Sequence, residues 1–220
     1  MSAAKKKAPS LNRQKVFTAY MTSVLETGQF PASVYKFCKE LEVEESEFYQ
    51  LFGSLESVRE QVWTEFYDQT IGRIQKDKNY ESYSNREKFL SFFYTFFEML
   101  ALNRSYVLFV LGSEPNPARQ LPQLSGLRKK VRGFARVLIE EGNEQKQSRI
   151  TQQQPALFSE GAWVQMLFLL RFWMKDDSAG FEKTDVAIEK SVNTIFDIFD
   201  NTPLERILDF GKFLYKEHQS

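Results

Sequence analysis

Hydrophobic positions recur at helical spacing along the whole chain. Val16, Phe17, Tyr20, Met21, Val24 and Leu25 make a first stripe, with Ser10 placed to cap it and Gly28 to end it. After Pro31, Ser33 is placed to cap a second helix whose apolar side is Val34, Phe37, Cys38 and Leu41. Val43 falls in a tight connection, a short third helix covers about Glu45–Phe52, and Gly53 stops it. Ser54 then caps a long fourth helix through Leu55, Val58, Val62, Phe66 and Ile74.

Beyond a polar stretch from Asp77 to Tyr83, Ser84 and Glu87 form a capping box that opens FLSFFYTFFEML. A helix apolar on all sides is either central in the fold or lines something. RSYVLFVLG after Asn103 continues as a shorter helix, SEPNPARQLP is a loop by its prolines, and LRKKVRGFARVLIEEG is a basic helix. A polar connection leads to a helix over about Ala156–Lys175, containing GAWVQMLFLLRFWM. KDDSAGF turns the chain into a helix from Thr184 to Asp200, and Thr202, Pro203 and Glu205 open a last one. No segment alternates as a strand does and no repeat is visible, so the fold class is all-α, with nine or ten helices.

Composition sharpens this picture at a few points. The 21 Phe, 9 Tyr and 3 Trp supply large apolar surfaces for a core, an interface or a ligand pocket. The 29 basic and 29 acidic residues cancel, but unevenly. The first fifteen residues carry Lys5, Lys6, Lys7, Arg13 and Lys15 without an acid, whereas Pro31 to Glu60 holds seven acids against three bases. The single cysteine, Cys38, excludes an internal disulfide, and its spacing is that of a buried core residue. MSAAKKKAPS lacks the apolar segment of a secretory signal. The apolar runs near Phe89–Leu102 and Ala162–Met174 are short for a bilayer and contain Glu98 and Arg171, so a cytoplasmic protein is expected. The only histidine, His218, is in the tail, and no glycine-rich phosphate loop or nucleophile–base set is present. An enzyme, a cofactor and a metal site are therefore not expected.

Two helices joined by three or four residues and flanked by supporting helices are what a DNA-reading helix-turn-helix requires, although any small three-helix unit shares that geometry. Residue identities go further. Ser33-Val34, Phe37, Val43, Phe48-Tyr49 and Phe52, followed by Ser54, Glu56 and Val58, resemble the TetR family of transcriptional regulators. Residues 1–9 read as a flexible basic arm, and the resemblance implies a helix-turn-helix domain over 10–56. It implies a helical ligand-binding and dimerisation domain over 57–220. It also implies DNA contacts from Ser33, Ser46, Tyr49 and Gln50. Lys5, Lys6, Lys7 and Arg13 can add backbone or minor-groove contacts, or simply form a solvated tail. The departures from the family pattern are acidic: Glu44, Glu45 and Glu47 surround Ser46, Glu42 stands where the family has Gly, and Leu55 where it has Lys. Carboxylates at the groove oppose binding to phosphates. Glu can nevertheless accept from cytosine N4, and acids suit a helix N-terminus.

The TetR resemblance also implies an apolar cavity and a homodimer face in the C-terminal helices. Phe89, Phe92, Phe93, Phe96, Phe97 and Leu100 would line the cavity, a stripe that core packing explains equally. Arg171 would meet an acidic head group, pair with Glu98 or reach the surface. Trp163, Met166, Leu170 and Trp173, with Ile195 and Phe199, would make the dimer face. Asp176 to Val192 is similar to a stretch of the TetR-fold lipid-binding ubiquinone-biosynthesis accessory proteins, through Asp176, Asp177, Ser178, Phe181-Glu182, Thr184 and Glu189-Lys190. That likeness implies a bound lipid and peripheral membrane contact through the amphipathic stretch Pro203–Lys216, for which a packed terminal helix is the other reading. Two functions follow. One is a DNA-binding regulator responding to an apolar ligand; the other is a lipid- or isoprenoid-binding accessory protein that no longer binds DNA.

Overall fold

The computed structural model describes residues 11–113, 120–144 and 154–201, the side chains of 199–201 excepted. Within them the chain forms nine α-helices and no strand. The first is α1 (Arg13–Thr27). Its cap is Asn12, whose side chain accepts from the Lys15 N–H at 2.9 Å, while Ser10 lies outside the described residues. Gly28 ends α1 at φ 64°, its N–H returning to the Val24 carbonyl at 2.9 Å. Helix α2 (Val34–Glu40) is capped as expected by Ser33, which accepts from the Lys36 N–H.

The end of α2 is a Schellman motif. The Val43 N–H reaches the Cys38 carbonyl at 3.1 Å and the Glu42 N–H the Lys39 carbonyl at 3.3 Å. The residue this motif holds in the left-handed region is Glu42, at φ 56°. Helix α3 (Glu45–Tyr49) is shorter than expected, although the Phe52 N–H still bonds to the Phe48 carbonyl at 2.9 Å. Ser54 then opens α4 (Leu55–Ile74), its hydroxyl accepting from the Ser57 N–H at 3.1 Å.

The capping box at Ser84 and Glu87 opens α5 (Asn85–Leu102), the two residues exchanging backbone N–H bonds through their side chains. There follow α6 (Arg104–Gly112), α7 (Ser125–Glu144), α8 (Pro155–Met174) and α9 (Glu182–Asn201). The further helix expected from Pro203 lies outside the described residues.

The chain divides into two compact units that interleave in sequence: Met1–Gln69 with Glu98–Leu127, and Thr70–Phe97 with Arg128–Ser220. The division falls within α4 and α5 and close to the start of α7 rather than near residue 56. In the first unit Phe37, Phe48, Phe52, Val58 and Val62 are buried with the inner side of α1. Phe17 meets Phe52 edge-on at 5.3 Å and Phe37 meets Phe48 at 6.1 Å, so three helices share one aromatic centre.

The second unit is organised around Phe89, whose ring lies within 6 Å of four others: Phe93, Phe134, Phe158 and Phe196. Gly142 of α7 faces the Asn85 side chain of α5, and a Cβ there would stand 2.5 Å from the amide nitrogen. That nitrogen donates to the Leu138 carbonyl at 2.6 Å, a bond that a side chain at 142 would displace.

Candidate nucleic-acid interface and helical interior

The aromatic centre of the first unit gives α3 a rigid base. Phe48 is fully buried, so the opposite side of this five-residue helix faces outward. Ser46, Tyr49 and Gln50 are exposed there, Tyr49 by 54%. Ser33, Lys36 and Lys39 are exposed on α2, and Tyr35 stands out beside them. The structure thus leaves Ser33, Ser46, Tyr49 and Gln50 open to solvent, while Glu45 and Glu47 occupy the first turn of α3 and are half-buried. Their position at the helix N-terminus complements its dipole, but it also sets negative charge where phosphate would approach.

Arg13 has a different surrounding from the one its sequence position suggested. Its guanidinium donates to the Leu51 carbonyl at 3.2 Å and to the Gln61 side chain, and it lies 4.6 Å over the Phe52 ring. These bonds fasten α1 to the connection between α3 and α4 and to α4 itself. Lys5, Lys6 and Lys7 lie outside the described residues.

Sequence reasoning missed a polar group inside the first unit. The Nε–H of Arg59, the indole N–H of Trp63 and the hydroxyl of Tyr106 are buried without a hydrogen-bond partner. Each such group left dry costs about 1–3 kcal/mol. Burial raises the Tyr106 phenol far above its ordinary value and the Tyr20 phenol to about 12, with the positive charge of Arg59 pulling both back only in part. Nothing local marks this group: it exists only because α4 meets α1 and α6.

In the second unit the expected cavity-lining residues Phe89, Phe92, Phe93, Phe96 and Phe97 are all buried and packed on one another. Leu100 is buried too, but belongs to the first unit. Arg171 is exposed in the last turn of α8, where its charge complements the carbonyl end of the helix, and does not enter this interior.

The residues expected at a dimer face are mostly turned into the core. Trp163, Met166, Leu170 and Trp173 are core residues at 0–6% exposure, and Ile195 is half-buried. The side chain of Phe199 lies outside the described residues. The outward stripe of α8 is Val164, Phe168 and Phe172, with the rings of the last two 6.2 Å apart. The one amide in this apolar run, Gln165, points inward and donates to Ser191 of α9 at 2.9 Å.

The stretch that suggested a lipid-binding relative is the connection after α8 together with the first half of α9. Asp176 is buried; desolvation alone would raise its pKa, but four donors overcome it and hold the carboxyl well below the usual range. These are the N–H and hydroxyl of Ser178 and of Thr184, at 2.6–2.9 Å. Lys183 pairs with Asp177 at 2.9 Å, and Phe181 lies 5.9 Å from Trp173. Asp176, Asp177, Ser178, Phe181 and Thr184 are therefore engaged in joining α8 to α9.

Among the described residues no cluster of three or more His, Cys, Asp or Glu is placed to hold a metal ion, and no helix is long and apolar enough to cross a membrane. Known proteins supply the remaining comparison. The family model described as tetracyclin repressor-like, C-terminal domain, matches residues 88–214, more than half of the chain. A protein described as a TetR-family transcriptional regulator from Syntrophomonas wolfei has a similar structure. It has 19% identity and a TM-score of 0.61 over 86% of this chain and 95% of that one. The fatty acid degradation regulator FadR from Bacillus halodurans is similar over 90% of this chain and 98% of that one, with 18% identity and a TM-score of 0.57. No curated protein matches.

Proposed function

The chain belongs to the tetracyclin repressor-like (TetR) family of regulators, and we propose that it binds DNA as a homodimer and answers to an apolar ligand. The observation that carries this reading is the outward side of α3. Ser46, Tyr49 and Gln50 are exposed on a short helix whose other side is locked into an aromatic centre. A reading helix needs that combination, because base contacts are lost when the helix can rock. Two copies joined through Val164, Phe168 and Phe172 of α8 would present two such helices to an inverted repeat. A ligand that enters among the phenylalanines of the second unit would favour one spacing of the two helices over another.

The test is selection of genomic fragments by the purified chain at near-physiological salt, followed by sequencing. Enrichment of an inverted repeat is expected. Recovery of fragments without a common site, and only in proportion to low salt, would refute DNA reading. The same experiment judges the second function, a lipid- or isoprenoid-binding accessory protein, which has the carboxylates of α3 in its favour. That function predicts no enrichment together with lipid extractable from the protein as isolated. Its other support, the Asp176 stretch, is weakened by the capping role those residues have in joining α8 to α9.

A further inference from the structure

A groove of about 640 Å³ lies in the first unit between α1 and the end of α2. Helix α1 lines it from Gln14 to Thr27, and α2 adds Phe37, Glu40 and its cap residue Leu41. Ala19, Phe37 and Leu41 give it an apolar lining. Its charged residues are two carboxylates, Glu26 and Glu40, and one cation, Lys15, near the start of α1. Both carboxylates are exposed, and among the described residues neither is in a salt bridge, although Lys36 stands one turn before Glu40.

The chain itself supplies a segment of matching chemistry. Residues 1–10, MSAAKKKAPS, hold three lysines and no acid, and they join α1 at the end where Gln14 and Lys15 line the groove. From Gln14 to Thr27 the helix rises about 20 Å, at about 1.5 Å per residue, whereas ten extended residues reach about 33 Å. The segment is therefore long enough to turn back and run the length of the groove. Alanines and lysine stems suit the apolar lining, and the ammonium groups suit the two carboxylates. Tethering holds the segment at an effective concentration on the order of mM, so shallow contacts suffice. We propose that Lys5–Lys7 fold back along α1 and dock in this groove against Glu26 and Glu40. Lysines seated there are withheld from phosphates, so the groove and DNA would compete for them; the docking itself does not depend on DNA reading.

The test is zero-length carbodiimide coupling of the full chain, which joins a lysine amine to a carboxylate only where the two touch, followed by digestion and mass spectrometry. Bonds from Lys5, Lys6 or Lys7 to Glu26 or Glu40 are expected to outnumber those to Glu44, Glu45 and Glu47 severalfold. They are expected to fall severalfold at about 1 M salt, where exposed charges are screened. Mixing chains of ordinary and heavy nitrogen shows whether each bond lies within one molecule. A second measurement follows trypsin cleavage after Lys5–Lys7. Glu26→Gln together with Glu40→Gln, both at exposed positions, should speed that cleavage severalfold with helix content unchanged. Coupling spread evenly over the exposed carboxylates would overturn the proposal, as would cleavage at the same rate in the double variant. Bonds found only between molecules would also overturn it, assigning the groove to the arm of a second copy.

Discussion

Replacing Glu42 by glycine should make the protein more stable, although it removes a side chain. Glu42 is the left-handed residue of the Schellman motif that ends α2, at φ 56°. For a residue with a Cβ that conformation costs about 1–2 kcal/mol. Glycine escapes the cost but has more freedom to lose on folding, about 0.5–1 kcal/mol. The net gain for Glu42→Gly is therefore about 0.5–1 kcal/mol, which in a chain of this length raises the melting midpoint by roughly 1–4 °C. Glu42→Ala is the decisive companion, since it deletes the same carboxylate yet keeps the Cβ in the left-handed region. Thermal melts of the three proteins, followed by circular dichroism at neutral pH, should order them Gly above both Glu and Ala. If Gly and Ala melt together, charge rather than backbone strain governs this turn, and the reasoning from φ fails.

Phe89→Ala removes a ring that four others contact, so a loss of about 3–5 kcal/mol is expected in urea denaturation; a change below 1 kcal/mol would mean that the interior repacks. Asp176 has its pKa held down in the folded chain, so its contribution to stability is complete above the unfolded value of about 3.9 and fades as pH falls below it. Asp176→Asn should thus lower the urea midpoint at pH 7, and the deficit should shrink at about pH 3; a deficit independent of pH would contradict this assignment. Phe168→Glu places a charge in the exposed stripe of α8 and should yield monomers in sedimentation velocity with helix content unchanged; an intact dimer would move the interface off this face.

Much of the fold was legible because it is set locally. Ser33, Ser54 and the Ser84–Glu87 pair cap the helices they were expected to cap, since a side-chain oxygen and a nearby N–H suffice. Gly28 ends α1 for an equally local reason. The orientation of α8 was not legible, because GAWVQMLFLLRFWM is apolar around its whole circumference and periodicity cannot choose a side. Packing chose against intuition, turning Gln165 inward to Ser191 and Phe168 outward. The orphan donors of Arg59, Trp63 and Tyr106 were hidden for a related reason, since they depend on which helix meets which.

The charges around α3 show how misleading position in sequence can be. Arg13 reads as the last member of a basic arm, yet its guanidinium spans the Leu51 carbonyl, the Gln61 amide and the Phe52 ring. Its removal would loosen the support of α3. Arg59, one of the three bases between Pro31 and Glu60, has its Nε–H buried. Lys36 and Lys39 on α2 and Arg13 on α1 are exposed, while Glu45 and Glu47 stand in the first turn of α3 with Glu44 before them. A regulator built this way gains little from general attraction to DNA, because the neutralisation of phosphates that drives such attraction is nearly cancelled at its own surface. On the proposed reading, affinity for DNA then rests on Tyr49, Gln50 and the groups that hold them rigid, or on basic residues brought from elsewhere in the chain.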